Sequence, residues 1–175
     1  MIIIISGPPG SGKTTVARII SRRLDFQLIS SGDVFRSLSK KYGMDLESFS
    51  IYAENHPEID RHVDEYILET MRKNGDIVVD SRLAAWFAVR NGIESFKVFL
   101  DASLEKRYER IKKRDTDATI DKIILRERSE LKRYLDYYGI NFKDLSIYDL
   151  VINTDNIGPE DVAEQIIKGV ESWKK

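Results

Sequence analysis

Short runs of aliphatic residues alternate along this chain with longer stretches in which apolar residues recur every three or four positions. Three of the runs, at 2–6, 77–80 and 96–101, are typical of strands buried on both faces of a parallel sheet. A fourth run at 150–154 belongs with them, and residues 27–30 are assigned as a fifth strand mainly because the sheet needs one there. The apolar pattern therefore predicts five parallel strands.

Helical periodicity fills the intervals between these runs. An apolar stripe at 16–24 follows the first strand, and a charged, helix-rich stretch extends over 104–138 with a break around 114–118. A terminal amphipathic helix at 159–170 has proline near its first turn. Strands that alternate with helices predict an α/β domain, in which helices cover both faces of a parallel sheet in a three-layer α/β/α arrangement.

Composition narrows the class of protein. The 175 residues correspond to one domain, and the absence of cysteine excludes disulfides, thiolate zinc sites and a cysteine nucleophile. Two histidines are too few for a multi-histidine metal centre. The net charge of −1 argues against nucleic acid as a partner, and no apolar run approaches the ~18 residues of a membrane span. We expect a cytoplasmic protein without a membrane partner, and a monomer.

The strongest chemical signal follows the first predicted strand. Residues 7–14, Gly-Pro-Pro-Gly-Ser-Gly-Lys-Thr, match the phosphate-binding pattern of Gly, four residues, Gly, Lys and then Ser or Thr. Glycines let backbone N–H groups turn toward phosphates, Lys13 supplies a charge for the β- and γ-phosphates, and Thr14 supplies a hydroxyl for Mg²⁺. The strand before this loop and the helix after it are the context that the pattern requires. A nucleoside-triphosphate site is therefore predicted.

A second element of this site is Asp80, which ends the strand at 77–80. A carboxylate there can hold the water shell of Mg²⁺ beside the phosphate loop, and the alternative is a simple cap at a strand end. We expect Asp80 and Thr14 on the metal side of the site, with Asp80 acting through water.

The class of phosphate-loop protein is indicated by what the chain lacks and by where its charges lie. A GTPase would carry an Asn-Lys-x-Asp base reader, and the sequence contains no Asn-Lys pair. Residues 105–133 contain 11 basic and 7 acidic residues, so this segment carries a net charge of +4 and the remainder carries −5. A local excess of positive charge behind a phosphate loop favours phosphoryl transfer.

Arginines supply much of that charge. Arg110 and Arg114 lie four residues apart and share one helix face, and Arg126, Glu130 and Arg133 share another. Planar guanidinium groups stabilise the charge that spreads over a phosphoryl group in transfer. Each arginine taken singly could also be part of a solvated helix face.

Two further arginines lie where an acceptor phosphate could bind. Arg36 belongs to a short helix that follows the turn at Gly32 and Asp33, and Arg82 follows the strand that ends at 80. Ligands of open α/β sheets bind outside the carboxyl ends of the strands. We expect Arg36 and Arg82 to hold a monophosphate opposite ATP, while Phe35 either packs under its base or enters the core.

Taken together, these features resemble the nucleoside-monophosphate kinases, and more narrowly the short archaeal-type cytidylate kinases. The wider resemblance is carried by the phosphate loop, the segment at 32–36 and the pair Arg110 and Arg114. The narrower one is carried by FSIYAENHPEID at 49–60, DSRLA at 80–84, RERSELKRY at 126–134 and IYDLVINT at 147–154. The likeness covers nearly the whole chain. One departure is Asp80-Ser81-Arg82, which stands where that family has Glu-Gly-Arg.

The resemblance implies Mg²⁺-dependent transfer of the γ-phosphoryl group of ATP to CMP or dCMP. It implies a single kinase domain whose core comprises residues 1–32, 74–109 and 129–175, with an acceptor-binding lobe at about 33–73 and a mobile lid at about 110–128. The segment after Thr154 would border the adenine.

The resemblance also implies three sets of site residues. The residues for the ATP phosphates are Gly7, Pro8, Pro9, Gly10, Ser11, Gly12, Lys13, Thr14 and Thr15. The residues for CMP are Asp33, Arg36 and Arg82. The catalytic residues are Lys13, Arg110, Arg114, Arg126 and Arg133.

Other functions stay open at this point. Kinases of AMP, UMP, shikimate or other small metabolites share the core architecture, and some nucleotide-dependent assembly factors imitate it. The density of arginine favours an enzyme, because a binding switch needs no clamp for phosphoryl transfer. The sequence does not reveal which side chains distinguish cytosine from uracil or adenine, since any Asp, Asn, Ser or Arg of the acceptor lobe could do so.

Overall fold

The computed structural model describes residues 1–73 and 75–173, and five parallel strands form its central sheet. The strands are β1 (Ile2–Ser6), β2 (Gln27–Ser30), β3 (Ile77–Asp80), β4 (Phe96–Asp101) and β5 (Leu150–Asn153). Their order across the sheet is β2-β3-β1-β4-β5, so β1 lies at the centre between β3 and β4. The predicted sheet is confirmed, and β5 ends one residue earlier than the pattern predicts.

Eight helices lie in the described part of the chain. They are α1 (Lys13–Leu24), α2 (Ser31–Lys41), α3 (Leu46–Ala53), α4 (Pro57–Lys73), α5 (Ala84–Arg90), α6 (Leu104–Lys112), α7 (Ile120–Tyr138) and α8 (Pro159–Trp173). The predicted break separates α6 from α7, and the Thr119 side chain caps α7 by accepting a hydrogen bond from the backbone N–H of Lys122. No helix within residues 1–73 and 75–173 is long and apolar enough to cross a membrane.

Three of these helices were not delimited by the sequence pattern. α5 is apolar on all sides and α3 has only eight residues, so neither shows a clear period. α4 does carry a signal, because its buried residues Ile59, Val63, Ile67 and Met71 recur at every fourth position. That stripe would have been sufficient to predict α4.

Both faces of the sheet are buried, which explains why the strands show no polar alternation. Ile2 and Ile4 of β1 belong to a core cluster that includes residues of α4, α5 and α7. Ile3 and Ile5 belong to a second cluster, formed with α1 and α8. Because successive side chains of a strand point to opposite faces, the four isoleucines supply both cores, and the molecule is a three-layer α/β/α structure.

The range predicted as the acceptor-binding lobe, 33–73, contains nearly all of α2 and the whole of α3 and α4. Its small core is centred on the fully buried Phe49, whose ring lies 4.8 Å from that of Phe35. Helix α7 contacts this core from the side, where the Ser129 hydroxyl donates to the carbonyl oxygen of Ser50 at 3.0 Å. The lobe is therefore hydrogen-bonded to α7, the helix whose first half belongs to the predicted lid.

The predicted domain boundaries can be located on these elements. The proposed lid, 110–128, takes in the end of α6, the connection to α7 and the first half of α7. Movement of either segment stays a prediction. Residue 74, where the core was predicted to resume, and residues 174–175 at its end lie outside the described residues.

The sheet brings several strand ends to one edge. In the register of β1 with β3, Ile5 lies opposite Asp80, and in that of β2 with β3, Ser30 also lies opposite Asp80. The loop that leaves β1 therefore meets the carboxyl ends of β3 and β2. This edge is where a parallel α/β sheet binds its ligands.

A close approach at this edge generates a prediction. Gly7 follows β1 with a φ of +147°, and a Cβ atom there would lie 2.1 Å from the carbonyl oxygen of Leu100 in β4. Gly7→Ala must push the loop away from β4, so we expect the free energy of unfolding in urea to fall by about 3 kcal/mol or more.

The matched control is Gly43→Ala, where φ is +66° but no atom of the described residues lies within 4 Å of the added Cβ. Its expected cost is about 1–2 kcal/mol, from the left-handed backbone alone. Equal losses in the two variants would contradict the contact with β4 as the cause.

Candidate active site

The phosphate loop connects β1 to α1. Helix α1 begins at Lys13, and Gly12 precedes it with a φ of +99°, so the first turn of the helix faces the loop. The first N–H groups of a helix have no partner within it, and the helix dipole places positive potential at the same end. Loop backbone and helix start together fit the phosphates of a nucleotide.

Lys13 lies in an electrostatically unfavourable position. Its Nζ donates to the carbonyl oxygen of Pro8 at 2.9 Å. Burial, with a further contribution from the positive charge of Arg82, lowers the pKa of Lys13 to about 7, and the carboxylates of Asp80 and Glu130 offset only part of this effect. An anion bound near this lysine would favour its charged form and raise its pKa again. A buried lysine with a lowered pKa therefore fits a phosphate-binding site.

Thr14 and Asp80 lie in contact at the predicted metal side of the site. The Thr14 hydroxyl donates to Oδ2 of Asp80 at 2.6 Å, and the Ser30 hydroxyl donates to the same oxygen at 3.3 Å. Within the described residues no cluster of three or more acidic or histidine side chains could hold a metal by itself. A hydroxyl and one carboxylate do fit Mg²⁺, which proteins bind through one or two such groups together with substrate phosphates and water.

Two arginines of α6 contact the phosphate loop from its outer side. Arg110 donates to the Thr154 carbonyl oxygen at 2.5 Å and to the Thr154 hydroxyl at 2.9 Å, and it also reaches the carbonyl oxygen of Gly10. Arg107, which is 7% exposed, donates to the carbonyl oxygen of Pro9 and pairs with Glu127 at 2.7 Å. Sequence reasoning missed Arg107, although its spacing of three from Arg110 places both on one face of α6.

Glu130 holds two of the predicted site arginines. Its Oε1 lies 2.5 Å from Nη1 of Arg82 and 3.1 Å from Nε of Arg126, and only 4% of its side chain is exposed. Burial alone would raise the pKa of Glu130, but Arg82 and Arg126, with Arg133, lower it overall. Nε of Arg82 is buried with no hydrogen-bond partner among the described residues. The role of Arg82 toward an acceptor phosphate stays a prediction.

Arg133 makes its contacts toward the acceptor lobe. Its Nε donates to Oδ2 of Asp60 in α4 at 2.7 Å, and one terminal nitrogen donates to the Ser50 carbonyl oxygen and the Ser129 hydroxyl, each at 2.9 Å. The guanidinium also lies 5.6 Å from the centre of the Phe35 ring. These contacts join α7 to α2, α3 and α4, and the catalytic role of Arg133 stays a prediction.

The remaining predicted arginines lie at the outer rim of the site. Arg36 forms an ion pair with Asp33, one turn earlier in α2. Arg114 follows α6, and partial burial together with the positive charge of Arg36 lowers the pKa of Arg114. The acceptor-side role of Arg36 and the catalytic role of Arg114 stay predictions.

A pocket extends from Arg82 and Arg126 into the acceptor lobe. It is lined by Ser31, Gly32, Phe35, Asp60, Val63, Asp64, Ser81, Arg82, Leu83, Arg126, Glu130, Arg133 and Tyr134. Sequence reasoning did not single out Asp60 and Asp64, although they lie four apart on α4. The phosphate loop follows the central strand of a five-stranded parallel sheet, and a pocket lined with arginines lies beside it. This combination defines a phosphate-loop kinase.

Comparison with known proteins makes the relationship specific. A family model described as an AAA domain matches residues 3–136. A cytidylate kinase of Archaeoglobus fulgidus is 48% identical, with 99% of this chain and 97% of that protein aligned. A cytidylate kinase of Methanocaldococcus jannaschii is 44% identical over the whole of both chains. The chain therefore belongs to the AAA-domain family and to the cytidylate kinases.

Solved structures show how widely the fold is shared. A shikimate kinase of Acinetobacter baumannii, in complex with shikimate, matches with a TM-score of 0.63 and 20% identity, over 99% of this chain and 94% of that one. A gluconokinase of Sinorhizobium meliloti matches with a TM-score of 0.68 and 13% identity, over 98% and 91%. At such identities the likeness concerns the fold alone.

The depressed pKa of Lys13 predicts a pH-dependent effect on stability. Lysine in an unfolded chain keeps its proton up to about pH 10.4. Between pH 7 and that value the unfolded state binds one proton more than the folded state, so the free energy of unfolding rises with pH. The cost of burying the charged Lys13 is therefore greatest below pH 7. We therefore expect Lys13→Met to stabilise the ligand-free protein at pH 6 by about 1–2 kcal/mol in urea unfolding, with a smaller gain at pH 9.

The control for this experiment is Lys41→Met, which removes an exposed lysine at the end of α2. Its stability relative to the unmodified protein should not change between pH 6 and pH 9. A destabilised Lys13→Met variant, or a gain that is the same at both pH values, would contradict the argument.

Glu130 provides a second prediction. Glu130→Gln removes the charge that compensates Arg82 and Arg126 in a largely buried site, so we expect a loss of about 2–3 kcal/mol in the free energy of unfolding. Glu109→Gln breaks a pair with Lys106 whose two side chains are 57% and 41% exposed, and it should cost no more than about 1 kcal/mol. Inorganic phosphate at millimolar concentration should stabilise Glu130→Gln more than Glu109→Gln, because the arginines of the former lack their carboxylate; an equal effect on both variants would count against an anion site at these arginines.

Proposed function

We propose that this protein transfers the γ-phosphoryl group of ATP to CMP or dCMP, giving ADP and CDP or dCDP. The observation that carries the proposal is the full-length similarity to cytidylate kinases, at 48% and 44% identity. The geometry supports it, because the pocket that contains Arg82 and Arg126 lies beside the phosphate loop, as two substrates in one reaction require.

On the donor side, the loop from Gly7 to Thr15 and the start of α1 hold the β- and γ-phosphates. Lys13 exchanges its contact with the Pro8 carbonyl for the phosphates, which restores its charge and offsets the cost of its burial. Arg110 bridges the loop and the end of β5, so it keeps the loop in place and borders the nucleotide.

The donor is the magnesium complex of ATP, and Thr14 and Asp80 would hold the metal side of it. Mg²⁺ supplies neutralisation of the β- and γ-oxygens during transfer. The Thr14 hydroxyl, at present directed to Asp80, can turn to a ligand without any change in the backbone. Asp80 lies behind this hydroxyl, which suits contact through a water molecule.

On the acceptor side, Arg36 and Arg82 hold the 5′-phosphate, with Asp33 orienting Arg36. A phosphate oxygen of CMP forms the new bond to the γ-phosphorus, and the bond to the β–γ bridging oxygen of ADP breaks. Arg126 and Arg114 compensate the charge that spreads over the oxygens in transfer. Closure of the segment at 110–128 would bring Arg114 inward and exclude water. The protein acts as a monomer in this proposal.

A coupled assay of ADP release tests the proposal. With ATP and Mg²⁺, we expect turnover with CMP and dCMP to exceed that with UMP, AMP, GMP and shikimate. Turnover confined to AMP or to shikimate would overturn the assignment of the acceptor.

The acceptor site is tested separately by Arg36→Ala. Loss of a charge-assisted hydrogen bond of about 1.5–3 kcal/mol should lower kcat/KM for CMP by about 10- to 100-fold while KM for ATP stays unchanged. Arg22→Ala, at an exposed position of α1, is the control and should leave both values unchanged. Normal CMP kinetics in Arg36→Ala would contradict the placement of the acceptor phosphate.

A further inference from the structure

The pocket beside the phosphate loop has two chemically opposite ends. At one end are Arg82 and Arg126, with Nε of Arg82 lacking a partner among the described residues. At the other end are Asp60 and Asp64, which lie one turn apart on α4. A phosphate is attracted by the guanidinium groups of Arg82 and Arg126, whereas at the carboxyl end the nearest cation, Arg133, is already paired with Asp60, so a nucleotide lies in this pocket in one direction. Its phosphate lies toward the arginines, and its base lies toward the aspartates.

The walls between the two ends suit a flat ring. Phe35, Val63 and Leu83 are apolar residues that line the same pocket. Phe35 is itself held in place by Phe49, at 4.8 Å between ring centres, and by the guanidinium of Arg133. An aromatic and two aliphatic walls bury the faces of a base but cannot distinguish one base from another, so discrimination falls to polar groups at its edge.

Asp60 supplies an acceptor at that edge. It is 7% exposed, and its Oδ2 accepts a hydrogen bond from Nε of Arg133 at 2.7 Å. Arg133 also bonds to Ser50 and Ser129, so it is fixed and holds the Asp60 carboxylate in one orientation. Burial raises the pKa of Asp60, and the ion pair with Arg133 opposes that rise by favouring the charged form, which can only accept hydrogen bonds.

Asp64 is different, because its closest partner is a hydroxyl and no cation pairs with it in the described residues. The Tyr138 hydroxyl donates to its Oδ2 at 2.6 Å. Burial raises the pKa of Asp64 to about 8, and the nearby negative charge of Asp60 acts in the same direction. A protonated Asp64 whose Oδ2 accepts from Tyr138 carries its proton on Oδ1 and offers a donor.

We propose that Asp60 and Asp64 select cytosine over uracil, with the Asp60 carboxylate accepting the exocyclic amine and the Asp64 carboxyl donating to the adjacent ring nitrogen. Cytosine presents an amine donor beside a ring-nitrogen acceptor, and uracil presents a carbonyl acceptor beside a ring N–H donor. A fixed acceptor beside a fixed donor therefore pairs with cytosine and opposes uracil at both positions. This assignment rests on the proposed function, since it concerns the acceptor of that reaction.

The test compares kcat/KM for CMP with kcat/KM for UMP in the same enzyme preparation. The ratio of the two values does not depend on the fraction of enzyme that is folded, so a loss of stability in a variant does not affect it. For Asp64→Leu, which removes the hydrogen bond to the ring nitrogen, we expect the ratio to fall by about tenfold or more. Asp64→Asn keeps an acceptor for Tyr138 and an N–H donor for the ring nitrogen, so it should retain most of the preference.

The control is Glu171→Leu, the same kind of replacement at an exposed position of α8, for which the ratio should stay at the value of the unmodified enzyme. An unchanged ratio in Asp64→Leu would overturn the inference, and so would an Asp64→Asn variant that loses the preference as completely as Asp64→Leu. Unmodified enzyme with no turnover of CMP would instead refute the proposed function. Equal turnover of CMP and UMP by unmodified enzyme would refute only the base selection.

Discussion

The carboxylate of Glu130 pairs with two arginines, Arg82 and Arg126, that line the pocket beside the phosphate loop. Arg82 comes from the end of β3 and Arg126 from α7, so without Glu130 two guanidinium groups from separate elements would repel each other in a largely buried site. Phosphoryl transfer needs such a concentration of positive charge, but the fold must hold it when no phosphate is bound. Glu130 pairs with both guanidinium groups, while Nε of Arg82 keeps no hydrogen-bond partner among the described residues.

The same helix organises the rest of the site. Arg133 lies one turn beyond Glu130 in α7, and its side chain donates a hydrogen bond to Asp60 in the acceptor lobe. Tyr138, at the end of the same helix, donates a hydrogen bond to Asp64. Helix α7 thus contacts both Arg82 and the two aspartates of one pocket.

Much of the fold could be predicted from the sequence, and the reasons are physical. A parallel sheet buried on both faces requires uninterrupted aliphatic runs, and the run from Ile2 to Ile5 shows this requirement plainly. The phosphate loop was equally predictable, because backbone contact with phosphates demands glycines at fixed spacing. Helix α5 was not, since a short helix that is apolar on all sides has no period to detect.

The sequence by itself determined the residue types and the local geometry of the donor site, because those depend on contacts within the eight residues from Gly7 to Thr14. Only the tertiary structure decided which charges pair with which. The partnership of Arg82 with Glu130 joins positions 48 residues apart, and that of Arg133 with Asp60 joins positions 73 apart. Spacing along a chain carries no information about such pairs, because they arise where two elements pack. For the same reason the acidic end of the pocket became recognisable only when α4 was placed beside α7.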